Sequence, residues 1–300
     1  MPNASAAPTH ESRAPSMPPM QGTALDFLRL LAMEVSKGTV DLPCFPDVVI
    51  RIRAALADPK SKPEKTVTII GAEPRLAARL LQTANSVAFN PAGKPLTDLR
   101  AAVTRLGHQM VQSAAMAFAV QQMKHADSLR PIAEPLSALW RDCISVASVS
   151  QAVARRTKVS PDQAFLTGLL HGIGRLYIMV RALKFAGRFG DDQSFLDLVA
   201  DWHASIGKAV LENWGFVEQM CNAVGDQNDH ERRWKHDEEL SDILIVSVAL
   251  SAALGNPAPR IAMPPGISAF HNIGLDESQC AAILTEAESQ LAALHDALGF

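Results

Sequence analysis

Apolar residues return every three to four positions along most of the chain, and alternating runs between tight turns are missing, a pattern that predicts an all-α protein. In "TALDFLRLLAMEVSKG" the spacing puts Leu25, Leu28, Leu31 and Val35 on one helical face, and Gly38 supplies the stop. "DLPCFPDVVIRIRAALADP" carries a second stripe of Val48, Val49, Ile52, Ala55 and Leu56. Glu73 and Pro74 open another helix, because proline at the first helical position gives up an N–H that had no partner to lose. Its core stripe is Leu76, Leu80, Leu81 and Ala84. "RLGHQM" at 105–110 reads as a joint between two helices, with His108 as a cap. Further helices are expected over 133–157, 195–214, 217–226, 236–254 and 276–298. The clearest start signal is "SPDQAFLTGLL": Ser160 caps, Pro161 takes the first helical position, Asp162 meets the positive end of the helix dipole, and Gln163 completes a capping box. That helix runs into His171.

Composition narrows the function classes. With 300 residues and 48% hydrophobic content there is enough chain for a substantial core. Twenty-eight Lys and Arg against 31 Asp and Glu leave a formal charge of −3, which gives no electrostatic reason to expect nucleic acid or an anionic membrane as a partner. No stretch approaches the roughly 20 apolar residues needed to cross a bilayer. Residues 1–22, "MPNASAAPTHESRAPSMPPMQG", lack the basic start and apolar run of a signal peptide and read as a disordered leader. Cys44, Cys143, Cys221 and Cys280 form no C-x-x-C pair, so they are expected to be free thiols buried in a protein of the reducing cytoplasm. "DSLRPIAEP" at 127–135 gathers prolines and charges and marks a coarse boundary between helical blocks at 23–130 and 131–230, with 231–300 following as C-terminal helices. The sequence holds no G-x-S-x-G elbow, no P-loop and no G-x-G-x-x-G after a strand.

Several stretches together go beyond pattern: "RLAARLLQTANSVAF" at 75–89, "LW-RDC" at 139–143, "AFLTGLLHGIGRL" and "HASIGKAVLENWGF" at 203–216. In this order and spacing the region from about 41 to 229 resembles the HDOD family, a regulatory branch of the HD superfamily of metal-dependent phosphohydrolases. The resemblance implies an HD-like helical bundle, its N-terminal helical part (23–130) packed on a degenerate HD-like part (131–230), with helices over 231–300 completing or flanking the core. It also implies a role in bacterial signal transduction. Its motif residues here are Arg79, Asn85, Ser86, Phe89 and Trp214. The superfamily's adjacent His-Asp ligand pair falls on His171 and Gly172, so the histidine is kept and the carboxylate is gone. An upstream histidine, two residues after an aromatic, falls on Asp142 after Trp140. A downstream histidine is matched by His203, while a following His-His pair falls on Gln227 and Asn228, with His230 out of register.

A catalytic metal site needs about three protein ligands and an open position. Asp142, His171 and His203 are the residual set, and glycine at 172 supplies neither donor nor charge. The structural reading makes His171 a core histidine bonded to a neighbour and His203 a residue near a helix start bonding a loop carbonyl. Trp214 then packs a helix C-terminus, and Gly168, Gly172 and Gly174 let another backbone approach. Asn85 and Ser86 satisfy helix-end groups, and Arg79 reaches a carboxylate across an interface. The leading expectation is a non-catalytic regulatory module without a cofactor, acting through signalling proteins or a small ligand. The other is a divergent phosphohydrolase using Fe, Mn or Zn on Asp142, His171 and His203.

Overall fold

The most deeply buried helices are those whose sequences are apolar on every side. In the computed structural model, which describes residues 24–38, 40, 42, 47–58, 60, 62–86, 89–90, 93–124, 126–185, 192–232, 239–254 and 266–298, every described element but one bridge residue and the turns is helical. The elements are α1 (Ala24–Ser36), α2 (Asp47–Ala57), α3 (Pro63–Gly71), α4 (Pro74–Asn85), α5 (Leu99–Lys124), a 3-10 helix η1 (Asp127–Ile132), α6 (Ala133–Ala154), α7 (Pro161–Leu170), α8 (Ile173–Ala182), α9 (Asp192–Asn213), α10 (Glu218–Asp226), α11 (Leu240–Ser251), α12 (Ser268–Ile273) and α13 (Glu277–Leu298). The all-α expectation holds. Short α3 and α12 were not expected, and the first residues of the helix expected over 236–254 lie outside the described residues.

At the centre α6 packs along α7, with α11 and α13 also on α6. Residues Ala164 to Leu170 of α7 are all buried, as are Leu240 to Ser247 of α11, and a helix apolar all round is stable only inside a core. To one side α8, α9 and α10 pack in succession, and α1 lies on α9. On the other side α2, α3 and α4 gather about α5. Buried residues from α1 to α13 form one continuous core.

Local signals act as the sequence requires. Ser160 Oγ accepts the Gln163 backbone N–H at 3.3 Å and caps α7, and Pro74 opens α4 after Glu73. The joint at "RLGHQM" is real: Gly107 has φ 73° and ψ 168°, so α5 is two helices meeting at that residue, and only glycine enters this region at low cost. His108 beside it is exposed. In α1 the buried face is Phe27 and Leu31, whereas Leu25 is 56% exposed. The core-facing stripe is thus rotated from the expected one, because α1 buries the side that carries Phe27, whose ring meets Phe185 at 5.0 Å.

Candidate functional site

The chain turns sharply after α7. The His171 N–H bonds back to Gly168 O, and Gly172, at φ −84° and ψ 4°, stands before the first residue of α8. Gly172 therefore sits in a break between two helices, not inside one as the periodicity indicated. Gly168 and Gly174 are the close-packing glycines. A Cβ on Gly168 would stand 2.7 Å from the Ala147 Cα on α6. One on Gly174 would stand 2.7 Å from Gly207 N and nearer still to the His203 carbonyl oxygen on α9. At Gly172 a Cβ would meet side chains alone, Cys143 Sγ at 2.7 Å and Leu139 Cδ1 at 2.8 Å. Helix packing accounts for the first two, and the missing side chain at 172 leaves room for Cys143 and Leu139.

This turn brings His171 against Asp142 of α6. His171 is fully buried; its Nδ1 donates to Gly168 O at 2.7 Å, and its Nε2 lies 3.4 Å from Asp142 Oδ2, within ion-pair range but off hydrogen-bond alignment. Burial pushes the imidazole pKa down, but the Cys143 sulfur and the Asp142 carboxylate against it outweigh that and hold it up at about 10. The same Oδ2 accepts from Arg175 Nη1 at 3.1 Å. Burial acts to raise the Asp142 pKa, but His171 and Arg175 prevail and hold it below the usual carboxylate value.

His203 lies mid-way along α9, not near a helix start. Its Nδ1 bonds Val199 O at 2.9 Å and Ala200 O at 3.0 Å, carbonyls of its own helix and not of a loop. Its Nε2 is buried without a hydrogen bond among the described residues, and burial followed by the nearby Arg175 charge holds its pKa down. Gln227, at the end of α10, donates to His171 O at 3.2 Å and Val224 O at 2.8 Å, while its Oε1 is buried and unbonded. Sequence reasoning placed Gln227 but missed Arg175. Its signal is an arginine four residues past His171 in the first turn of α8, where the helix dipole disfavours a cation.

The donor set does not fit a divalent metal ion. His171 turns Nε2 to Asp142, Asp142 already holds Arg175, and residue 172 offers no donor. Among the described residues no three His, Cys, Asp or Glu side chains gather in metal-holding geometry. Next to the turn lies a small apolar pocket lined by Met116, Leu136, Leu139, Trp140, Cys143, Leu169, Leu170, Gly172, Ile173 and Leu176, without a cationic side chain for phosphate.

Asn85 clasps Leu96, with Nδ2 donating to its O at 2.8 Å and Oδ1 accepting its N–H at 2.7 Å, and Ser86 Oγ donates to Thr83 O. Phe89 and Trp214 are half-buried against the core. Arg79 does not reach a carboxylate: its buried Nη1 has no hydrogen-bond partner among the described residues, and burial lowers its pKa. Cys143, Cys221 and Cys280 are free and buried, and Cys44 lies outside the described residues.

The HDOD domain family model matches residues 42–230, nearly two thirds of the chain. The protein belongs to the HDOD family. The HDOD match takes in α2 to α10 and hence the whole 142–171–175–203 site, and leaves α1, α11, α12 and α13 outside it. An uncharacterized protein of Treponema pallidum is 22% identical over 208 residues, 65% of this chain; the chain spans only 39% of that relative's length. Two solved structures share the HDOD chain's fold. One, named provisionally as a metal-dependent phosphohydrolase of Shewanella amazonensis, has a TM-score of 0.60 at 22% identity, covering 88% of this chain and all of the other. Another, named provisionally as a signal transduction protein of Marinobacter aquaeolei, has a TM-score of 0.60 at 20% identity, covering 92% of this chain and 66% of the other. Among the described residues no helix is long and apolar enough to cross a membrane.

Proposed function

We propose that this HDOD protein is a non-catalytic regulatory module of the bacterial cytoplasm that works by binding signalling proteins and needs no metal. The observation that carries the reading is residue 172. Metal-assisted phosphodiester cleavage depends on a metal-activated water held by a full ligand set. At 172 the carboxylate is replaced by glycine, and the space a side chain would enter is filled by Cys143 and Leu139. Asp142 spends its charge on two cations of the protein itself, and the family's packing elements around the site are kept. The relative named as a signal transduction protein is consistent with this role. The test is hydrolysis of bis-(p-nitrophenyl) phosphate by the purified protein with Mn²⁺, Fe²⁺ or Zn²⁺ added. No turnover above buffer is expected. Turnover that His171→Ala abolishes would establish a divergent phosphohydrolase instead.

A further inference from the structure

Asp142 Oδ2 is contacted from two sides, by His171 Nε2 at 3.4 Å and by Arg175 Nη1 at 3.1 Å. One carboxylate oxygen shared between an imidazole and a cation is what a metal-binding carboxylate would offer an ion, with a guanidinium in the ion's place. Three further observations point the same way. Arg175 occupies the first turn of α8, which has no acidic residue, so its charge stands at the positive end of the helix and gains nothing from the backbone. Its side chain is only 34% exposed, held inward against Asp142 instead of reaching for solvent. The His203 backbone meets α8 at Gly174, the residue before Arg175, and the Arg175 charge is near enough to help hold the His203 pKa down.

We infer that the Arg175 guanidinium is a built-in replacement for the metal cation: it sits against the Asp142 oxygen that also faces His171, with α9 and His203 alongside, satisfies the charge of the carboxylate, and keeps the site closed to divalent ions. A planar guanidinium is wider than a metal ion and binds carboxylate through directional N–H donors, which accounts for ligand-type side chains that surround one place yet do not converge. The site is then a fixed part of the fold, complete at all times, and not an apo form waiting to be loaded. This goes beyond the lack of catalysis and does not depend on it, since a protein can fail to cleave phosphodiesters while still binding metal.

Removing the cation should reopen the place it fills. Wild-type protein, Arg175→Ala and Arg175→Met, the last keeping most of the side-chain stem, are titrated with Co²⁺, with binding read from visible d–d absorption and folding from helical circular dichroism. Both variants are expected to bind one Co²⁺ at least roughly 10-fold more tightly than wild type, on the scale by which neighbours of a metal site tune affinity. Adding His203→Ala to either variant is expected to remove the gain. If a variant is unfolded without metal, Co²⁺ is expected to restore its helicity. Stoichiometric Co²⁺ binding by wild type would overturn the inference, as would variants, folded or unfolded, that neither bind Co²⁺ nor recover with it. None of these outcomes bears on phosphodiester turnover, so the inference and the proposed function fail separately.

Discussion

Adding one methyl group at Gly174 tests whether α8 and α9 cross with their backbones in contact. The new Cβ would stand 2.7 Å from Gly207 N and closer to His203 O. Carbon makes unstrained contact at about 3.5–4.0 Å, so the two helices must part by roughly 1 Å or more. Main chain cannot swing aside as a side-chain tip can, which places the cost near the upper end of overpacking, about 3 kcal/mol. The better helix propensity of alanine offsets about 1 kcal/mol. The net loss is about 2 kcal/mol, or roughly 3 °C in Tm for a chain of this size. Gly172→Ala is the internal comparison. Its Cβ meets only the ends of the Cys143 and Leu139 side chains, so the loss should stay under about 1 kcal/mol. Urea unfolding followed by circular dichroism gives the order directly. A Gly174→Ala protein as stable as wild type, or less damaged than Gly172→Ala, would refute the backbone contact.

The His171–Asp142 pair makes stability depend on pH in two windows. His171 has its folded pKa raised to about 10 from 6.5, so its contribution is complete below pH 6.5 and is lost as pH rises through 10. His171→Gln should flatten the alkaline decline in urea midpoint; an unchanged slope would exclude this ion pair as its source. Asp142 has its folded pKa lowered from 3.8, so its contribution is present above that value and lost as pH falls through the folded one. Asp142→Asn should therefore weaken the protein at pH 7 while softening its acid transition, and a parallel shift at all pH values would contradict the assignment. Ser160→Ala removes the cap of α7 and should cost about 1 kcal/mol by chemical unfolding; no loss would mean that the bond to Gln163 N is idle. Glu34→Ala removes the acceptor shared by Tyr177 Oη and Arg181 Nε. Its side chain is 14% exposed, so the loss should be about 2–3 kcal/mol, below that of a fully buried pair. Amide exchange should then speed up in α1 and not in α6 or α7, and uniform acceleration would argue against a local tie.

What the sequence revealed was what local chemistry decides. Ser160 and Pro161, Glu73 and Pro74, and the glycine joint at 107 each act within one turn of chain, and each lies where its residue types demand. Ser86 was legible as a helix-end group for the same reason, whereas Asn85 was misread: it clasps Leu96, eleven residues on, instead of a helix-end group. Leu25 was misplaced because a helical stripe fixes which residues share a face but not which face meets the core; Phe185, more than 150 residues away, decides that. α12 is too short for its period to show. At the site His171, Asp142 and His203 were found by resemblance and His171 was read as a core histidine bonded to a neighbour, but the sharing of Asp142 with Arg175 was not. Arg175 escaped because nothing in a chain written out linearly shows that α6 brings a carboxylate to the first turn of α8. Gly172 was read as a helix interior because the apolar spacing continues across the turn without a break.

The tie between Glu34 and α8 also sets a timetable for the newborn chain. Tyr177 and Arg181 lie 143 and 147 positions beyond Glu34. At about 5–20 residues per second of synthesis, α1 leaves the ribosome roughly 7–30 s before its docking surface exists. For that interval Phe27 and Leu31, fully covered in the finished protein, have no native shelter. α1, made long before α8, is among the last helices to be seated, and the yield of intact protein in a cell rests on keeping that early segment from sticking to its neighbours.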